Sequence, residues 1–413
     1  DVVLGRAAKV FRAEYEFPFL HHATMEPMNC TARAHADGRI ELWAPTQFPN
    51  WSAQAVAGAL KLQPAQVTVH VTLIGGGFGR RINPDYSVEA ALIAKQLDRP
   101  VQVVWTREDD MTHGMYRPIA RHVLEASLDA NGWPEAWRHR MATTAINGNP
   151  GPGTRPFGGG ESDGVGNMGY RVPNRTTEYT PIASRAPRGW WRAVHTTHGT
   201  FALETFLDEL AEAAGKDPLE YRLALLDQVP VTNPQPSRDT PFDPERMKGV
   251  LRLAAEKAGW GKPLPAGHAM GIACVQDHRT HAAEVVHASI EGGRLRIHEV
   301  VVAADCAFVV NPSGARAQME GGVMQGLSAA LHERVTLSGG AVAEKNFDRY
   351  RLLRISEAPV KVSAYFVEHP ENTVRITGLG EPAVPIVAPA LANAIYRITK
   401  KRIRTLPMGT AFA

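Results

Sequence analysis

The sequence has few cysteines, little net charge and no long hydrophobic run, and each of these features excludes certain classes of protein. Its 413 residues include Cys30, Cys274 and Cys306 as the full set of cysteines. Their number is odd, their spacing is wide and no C-x-x-C pair occurs, which argues against a disulfide framework, a structural zinc site or an iron–sulfur cluster held by this chain. Such a small set of cysteines leaves the redox compartment open.

The charges are nearly balanced, with 45 lysine and arginine residues against 42 aspartate and glutamate residues and a formal net charge of +3. No block of five or more basic residues appears, so we predict no nucleic-acid partner. The longest apolar stretch, residues 300–310, is interrupted by Asp305. It falls far short of the roughly 20 residues that span a bilayer, so we also predict no membrane span.

The amino end carries no targeting pattern. It starts at Asp1 without an initiator Met, a charged n-region or an apolar h-region, and so it does not read as a signal peptide. We interpret this end as cut or truncated from a longer subunit.

The overall composition, with 44% apolar and 21% charged residues, is typical of a globular protein. At about 150 residues per domain the length predicts two or three domains. We place a boundary near Gly261, giving a first domain of residues 1–260 and a second of residues 261–413. The first domain contains a glycine-rich irregular loop at 148–169 and a linker rich in proline at 229–244.

Periodicity of the apolar residues predicts both helices and strands, with an α+β arrangement in the last domain. Helical spacing occurs at residues 53–62, 87–96, 200–214, 218–226, 244–259, 314–332 and 389–399. Strand alternation occurs at residues 67–74, 101–105, 121–128, 284–290, 294–304 and 360–367. Strands joined by turns are also predicted at residues 9–19, where the alternation is irregular, and at 40–43. The helix at 200–214 is predicted to be amphipathic, with acidic residues on its solvent face.

A glycine run, residues 75–81, separates a predicted strand from a predicted helix. Glycines let the backbone approach a bulky or anionic ligand, and a helix amino terminus favours negative charge. A dinucleotide fingerprint needs a third glycine where this sequence has Arg80 or Ile82, so that interpretation is weak. A tight turn with positive φ is the structural alternative.

A second short loop, residues 378–382, places Glu381 between glycine and proline and ahead of an apolar segment. Apolar surroundings disfavour the charged carboxylate, which is how a general base is brought toward neutral pH. The alternative is an ordinary carboxylate at the entry to a helix.

Two histidine-rich segments have spacings that suggest metal ligands. In the first, around His21 and His22, Pro27 interrupts any helix. In the second, His278, His281, Glu284 and His287 lie on a predicted strand that scatters their side chains over both faces. We therefore predict no metal held by protein side chains at either segment.

Together these segments resemble, in the same order along essentially the whole chain, the molybdopterin-binding large subunit of the xanthine dehydrogenase and aldehyde oxidase family. The matching motifs lie at residues 22–29, 43–47, 75–81, 191–192, 204–211, 311–312, 318–322 and 378–382. The form Gly-Gly-Gly-Phe-Gly-Arg-Arg and the closing segment 385–395 are most similar to the branch of isoquinoline oxidoreductase and membrane-associated aldehyde dehydrogenase.

The resemblance implies the α+β fold of the molybdenum-binding domains of a molybdenum hydroxylase large subunit, with mixed sheets and packed helices. Such an enzyme oxidises an aldehyde to a carboxylic acid or hydroxylates an N-heteroaromatic ring with oxygen from water. The metal in this family is held by the dithiolene of the pterin, and the protein orients and polarises the reacting groups. The resemblance makes Glu381 the general base and gives Gln47 a hydrogen bond to an oxo ligand of the metal.

The cofactor-binding residues implied by the resemblance lie on four segments. The backbone of Gly76, Gly77, Phe78 and Gly79 is expected beside the metal, and Gln318 helps to hold the pterin dithiolene. Arg192 and Gly380 complete the pterin contacts. Arg80 and Arg81 suit the phosphates of a dinucleotide on the pterin, in its cytosine form, because guanidinium groups bind such oxygens bidentately.

The departures from the family imply partners. This branch carries a Gly-Gln-Gly loop early in a chain nearly twice as long, and no Gly-Gln-Gly occurs in this sequence. We therefore expect an N-terminal half that carries that loop, a small subunit with 2Fe-2S clusters, and a cytochrome c as electron acceptor. Ala307 after Cys306 replaces the family's Cys-Gly. The branch also implies the periplasm or the periplasmic face of the inner membrane.

Two other functions remain open at this point. The chain can be a non-catalytic structural half that supplies interface and pterin contacts only. A nicotinamide-dependent dehydrogenase is weaker, because it depends solely on the strand, glycine run and helix around residues 75–81.

Overall fold

The computed structural model describes residues 2–147, 161, 164–166, 168–227, 242–369 and 375–410. The loop predicted at 148–169 and the linker predicted at 229–244 therefore lie largely outside the described residues. None of the helices within the described ranges is both long and apolar enough to cross a bilayer.

The described α-helices are α1 (Val2–Arg6), α2 (Pro49–Leu60), α3 (Asp85–Leu97), α4 (Arg107–His113), α5 (Thr196–Ala213), α6 (Pro218–Leu226), α7 (Pro244–Ala258), α8 (Pro312–Leu331) and α9 (Val384–Thr399). Short 3-10 helices lie at Pro64–Gln66 and Arg80–Ile82. Each predicted helix is confirmed to within a few residues. The exception is α9, which begins five residues before the predicted start because Pro389 lies inside the helix rather than at its beginning.

The described strands are β1 (Phe11–Phe17), β2 (Leu20–His21), β3 (Asn29–Ala34), β4 (Ile40–Ala44), β5 (Val67–Val71), β6 (Val101–Val104), β7 (Tyr116–Arg117), β8 (Ala120–Leu128), β9 (Pro134–Thr144), β10 (Asn174–Ile182), β11 (His268–Asp277), β12 (Thr280–Glu291), β13 (Arg294–Asp305), β14 (Leu337–Ser338), β15 (Ala341–Val342) and β16 (Lys361–Phe366). Every predicted strand is present. The sequence did not predict the further described strands β2, β3, β7, β9, β10, β11, β14 and β15.

The larger strands form three four-stranded sheets within the described residues, with the orders β1-β8-β9-β10, β11-β12-β13-β16 and β5-β4-β3-β6. Each sheet contains one parallel pair, namely β9 with β10, β13 with β16 and β4 with β5, beside antiparallel neighbours. The predicted α+β class with mixed sheets is confirmed.

Helix α5 differs from its prediction as an amphipathic surface helix. Its acidic residues Glu204 and Asp208 are almost fully buried. Glu204 pairs with Arg222 of α6 at 2.9 Å, and Asp208 pairs with Arg402 at 2.7 Å. Since each buried charge has its partner, α5 can lie in the interior between α9 and the sheets β1-β8-β9-β10 and β11-β12-β13-β16. The acidic face expected toward solvent is instead an interior ion-pair face.

The hydrophobic core crosses the predicted domain boundary. Helix α9 packs against α5 and against β11 and β12, and one cluster of buried residues contains Leu207, Ile272 and Ala388. Helix α7, which precedes Gly261, packs on β12 and β13. The domains 1–260 and 261–413 stay a prediction, and the site described next lies where their segments meet.

Candidate functional site

The first glycine loop, residues 75–81, connects β5 with α3 and has a backbone that ordinary side chains would strain. Gly76, Phe78 and Gly79 have φ values of 92°, 53° and 101°, which lie in the left-handed region that favours glycine. A Cβ added to Gly79 would lie 1.5 Å from the carbonyl oxygen of Trp190. The glycine at this position is therefore required by a close backbone crossing as well as by its φ.

Arg80 and Arg81 point away from solvent and are fully buried. Arg80 donates two hydrogen bonds to Asp85, at 2.9 and 2.7 Å. Arg81 donates to the carbonyl of Gly76 at 2.7 Å and to the carboxylate of Glu26 at 2.8 Å. Both guanidinium groups thus fix the first glycine loop through contacts inside the protein. Their predicted contact with dinucleotide phosphates stays a prediction.

Gln47 lies against the same loop, just before α2. Its side-chain oxygen accepts a hydrogen bond from the N–H of Gly79 at 3.0 Å, and an added Cβ on Gly77 would approach that oxygen to 2.4 Å. Because the oxygen is occupied, the NH₂ group of this exposed amide is the part that faces outward as a donor. The structure therefore brings Gln47 to the loop, as predicted from sequence.

The linking segment, residues 189–195, crosses under the first glycine loop and leads into α5. Its Ala193 and Val194 have φ values of 64° and 42°, a rare conformation for a residue with a branched side chain. A hydrogen bond from the N–H of Val194 to the carbonyl of Trp191, at 2.6 Å, closes the turn. This turn aims the N–H of Ala193 toward the second glycine loop.

Arg192 joins the three parts of the site. Its backbone N–H donates to the carbonyl of Phe78 at 3.0 Å. Its side chain donates to the carbonyl of Gly380 at 2.6 Å and to the side chain of Gln318 at 3.0 Å. A further bond reaches Gln325 at 3.2 Å. Arg192 therefore holds three parts of the site in register, because its backbone N–H binds the first glycine loop and its buried guanidinium binds helix α8 and the second glycine loop.

Glu381 lies in the second glycine loop, residues 378–382, at the entry to α9. Its Oε2 accepts a hydrogen bond from the N–H of Ala193 at 2.8 Å and lies 3.4 Å from Nδ1 of His278. Burial raises the pKa of Glu381, and the nearby Asp277 acts in the same direction. His278, the Ala193 N–H and Arg192 lower it without reversing the shift.

A cleft of about 450 Å³ opens beside Arg192. Its walls come from the first glycine loop, from α8 and from the segment after β2. The lining residues that matter here are Phe78, Arg192, Gln318, Gly321 and Gln325. An added Cβ on Gly321 would meet no atom within 4 Å, so this face of α8 leaves room for a ligand to lie against the helix.

The structure thus brings together the predicted residues Gln47, Gly76 to Gly79, Arg192, Gln318, Gly380 and Glu381. Sequence reasoning missed the N–H of Ala193, His278 and Gln325, all of which contact predicted residues. No local pattern could have paired Ala193 with Glu381, which are 188 positions apart. His278 was noticed only as a possible metal ligand.

Two family models match this chain, and both are described as a molybdopterin cofactor-binding domain; the matches cover residues 1–225 and 275–359. Isoquinoline 1-oxidoreductase subunit beta from Brevundimonas diminuta is 32% identical over 426 residues, which cover all of this chain and 52% of that relative. The membrane-bound aldehyde dehydrogenase [pyrroloquinoline-quinone] of Gluconacetobacter polyoxogenes is 31% identical over 100% of this chain and 55% of its own length.

Among solved structures, quinoline 2-oxidoreductase from Pseudomonas putida 86 matches with a TM-score of 0.85 and 16% identity, over 99% of this chain and 76% of that chain. This likeness shows the same fold. The chain spans about half the length of the two curated relatives above.

Proposed function

The chain belongs to the molybdopterin cofactor-binding domain family, and from that premise we propose that it is the catalytic, pterin-binding part of a molybdenum hydroxylase. The substrates proposed are an aldehyde, oxidised to a carboxylic acid, or an N-heteroaromatic ring, hydroxylated with oxygen from water. The observation that carries the proposal is the convergence of both glycine loops on Arg192, which lines the cleft and donates a hydrogen bond to the carbonyl of Gly380, the residue before Glu381.

The residues around the cleft fit a pterin. A large planar heterocycle with many hydrogen-bonding groups needs space and polar partners, and the cleft supplies both. Gly321 leaves the face of α8 open, and the exposed amide of Gln318 lies at its rim. We assign Gln318, Gln47 and the backbone of residues 76–79 to holding the cofactor, which when bound supplies two-electron redox chemistry at the molybdenum.

Glu381 acts as the general base in this proposal. Its raised pKa brings the carboxylate closer to the operating pH, so that it can accept a proton and release it again. The hydrogen bond from the Ala193 N–H occupies Oε2 and fixes the orientation of the carboxylate, which leaves Oε1 for the proton. Arg192 binds the carbonyl of the preceding Gly380 and so positions the base.

The rest of the proposed complex follows from the resemblance and from the surface near the cleft. Large apolar side chains that are exposed in this chain surround the first glycine loop: Met25 at 75%, Leu73 at 97% and Phe78 at 39%. Exposed apolar groups that cluster beside a site mark an interaction surface. We propose that the N-terminal half with the Gly-Gln-Gly loop covers them.

Oxidation of an aldehyde with water releases two electrons and two protons, so an electron acceptor is required. We assign that role to a small subunit with 2Fe-2S clusters and then to a cytochrome c. The cytosine dinucleotide form of the pterin and a periplasmic location complete the proposal, and both rest on the resemblance alone.

The test is the molybdenum content of the complex isolated from its native host with all copurifying chains retained, measured by elemental mass spectrometry. We expect about one molybdenum per copy of this chain, and turnover of an aldehyde or N-heterocycle that is lost in Glu381→Gln. A complex that contains all its chains but no molybdenum and no pterin would support the non-catalytic structural half instead.

A further inference from the structure

A second group of polar side chains lies far from the cleft, at the other end of the sheet β11-β12-β13-β16. His268 begins β11, while Asp277 ends it beside the proposed active site. At about 3.3 Å per strand residue, the two ends are about 30 Å apart. His268, His287 of β12 and His298 of β13 meet there on three neighbouring strands, with Glu291 beside them. We call these four residues the histidine cluster.

The imidazole rings of the histidine cluster are stacked against one another. His268 and His298 have ring centroids 4.5 Å apart at an interplanar angle of 21°, and His287 and His298 have centroids 4.9 Å apart at 33°. Nδ1 of His268 lies 3.0 Å from Nε2 of His287. Near-parallel rings at this spacing present their nitrogen atoms side by side.

A β-bulge explains why His298 joins the other two rings. The pairing of β12 with β13 runs from His287 opposite Glu299 directly to Ala288 opposite Ile297, so His298 is the extra residue of β13. Bulges of this kind turn a side chain toward a face that regular alternation would deny it. The irregularity therefore completes the three-histidine face.

Glu291 adds an oxygen ligand to the same place. Single ligand atoms of His268, Glu291 and His298 all lie within 4.8 Å of one another. Oε1 of Glu291 is 3.8 Å from Nε2 of His298, and Ser289 Oγ lies 2.8 Å from each of these two atoms. Arg296 lies 3.8 Å from the other carboxylate oxygen, so Oε1 is the oxygen facing the histidines.

We propose that His268, His287, His298 and Glu291 form a binding site for one divalent transition-metal ion of the Zn²⁺ class. Imidazole nitrogen with one carboxylate oxygen is a ligand set that suits Zn²⁺ and Ni²⁺ and does not suit Mg²⁺ or Ca²⁺. Tetrahedral bonds of about 2.0–2.1 Å place neighbouring nitrogens slightly farther apart than the present His268–His287 contact. For this pair the two nitrogens need to separate by only a few tenths of an ångström, roughly, once the ion replaces their hydrogen bond.

The ion would tie together the ends of three strands. The pair β12 and β13 is joined at this end by the turn between them, and the N–H of Leu295 also holds the C-terminal segment through the carbonyl of Thr410. Because an ion that binds only the folded chain stabilises it, Zn²⁺ is expected to raise the melting temperature. This role is independent of the molybdenum chemistry.

The test uses the complex with all its chains, treated with a chelator, dialysed and then loaded with Zn²⁺ or with Co²⁺. The variant is His287→Gln together with His298→Gln. The matched control is His35→Gln together with His70→Gln, which removes two surface histidines that share Glu41, at 3.2 and 2.7 Å. Zinc per chain, visible Co²⁺ absorption and the melting temperature are measured for each.

We expect wild type and control to hold one more zinc per chain than the variant, to show Co²⁺ absorption typical of a low-coordinate nitrogen site, and to melt at higher temperature with Zn²⁺. Loss of all three in the variant, with an unchanged melting temperature without metal, supports the site. Equal zinc content in wild type, variant and control would overturn the proposal. It would also be overturned if zinc were lost only from a further variant, in which Asp277 and His278 beside Glu381 are changed.

Should the double variant not fold, Glu291→Gln serves in its place, because Glu291 is exposed. A changed Co²⁺ spectrum in that variant supports the four-residue ligand set. An unchanged spectrum and unchanged zinc content would contradict it.

Discussion

The two glycine loops that meet at Arg192 use glycine for different physical reasons. In the first, an added Cβ on Gly79 would lie 1.5 Å from the Trp190 carbonyl oxygen, and the backbone has a φ of 101°. In the second, an added Cβ on Gly380 would meet no atom within 4 Å, and its φ is outside the left-handed region. The first loop is thus determined by packing.

The second glycine loop is held by hydrogen bonds without such crowding at Gly380, whereas the first loop combines its close packing with hydrogen bonds to Gln47, Arg81 and Arg192. The carbonyl of Gly378 accepts from Thr280 Oγ1 at 2.6 Å, that of Gly380 accepts from Arg192 at 2.6 Å, and Glu381 accepts from the N–H of Ala193. Packing gives rigidity against which a cofactor can lie, whereas hydrogen bonds leave a carboxylate partly open. The comparison teaches that glycine content alone does not distinguish a loop that packs beside a cofactor from a loop that carries a catalytic base.

The largest expected effect is that of Gly79→Ala. The new methyl group collides with the Trp190 carbonyl and the positive φ is strained, so we expect a loss of about 3 kcal/mol or more in the free energy of unfolding. Turnover should fall with it, because the linking segment must move. Calorimetry measures the loss of stability and a turnover assay measures the loss of activity. A variant as stable as wild type would show that the backbone at Gly79 is not tightly packed against Trp190.

Next is Glu381→Gln, which removes the proposed base and keeps its shape. Loss of general base catalysis predicts a fall in turnover of at least about 100-fold. Molybdenum content and melting temperature are expected to stay at wild-type values, since the amide can still accept from the Ala193 N–H. Persistent turnover would remove Glu381 from the mechanism, while loss of molybdenum would make it a structural residue of the loop.

A smaller and more specific effect is expected in the pH dependence of kcat/KM. The base is active when deprotonated, so the acidic limb of the profile follows the pKa of Glu381. His278 lowers that pKa and Asp277 raises it. His278→Gln should therefore move the limb to higher pH, and Asp277→Asn should move it to lower pH.

These two variants are each other's control, because both change a group next to the same carboxylate. Asparagine still accepts the bond from Thr196 Oγ1, which is 3.1 Å in the structure. Shifts in the same direction for both variants would mean that the limb reports a different group.

The smallest effect is expected for Gly380→Ala. Open space at this position and a φ that other residues adopt predict a change in unfolding free energy within about 0.5 kcal/mol. Turnover should stay close to wild type, provided that the Gly380 carbonyl keeps its bond to Arg192. A loss comparable to that of Gly79→Ala would erase the distinction between the two loops.

Much of the fold could be predicted from local patterns. Helices α2, α3 and α5 to α9 and strands β5, β6, β8, β12, β13 and β16 follow apolar periodicity, which depends only on neighbours a few residues away. Helices α1 and α4 were not predicted. Strand β11 was missed because nearly all its residues are buried, so alternation is absent. The burial of Glu204 and Asp208 could not be predicted either, since their partners Arg222 and Arg402 are supplied by other segments.

The candidate site was predicted as a set of motifs, and its contacts were not. Arg80 and Arg81 illustrate the limit. A contact with phosphate stays a prediction for them, and the ion pairs that the structure shows, Arg80 with Asp85 and Arg81 with Glu26, were not predicted. The same holds for the histidine cluster, where His287 was noticed on one strand and its partners lie on two others.

The sequence by itself therefore determined the α+β class, the glycine loops, the candidate base Glu381 and the family resemblance, because each depends on residue type and short spacing. Only the tertiary structure decided which groups share a space: Ala193 with Glu381, Arg192 with Gly380, and His298 with His268. The physical reason is that a hydrogen bond or a metal ligand set depends on distances of about 3 Å between atoms. Residues that are tens to hundreds of positions apart in the sequence come this close only through the packing of the folded chain.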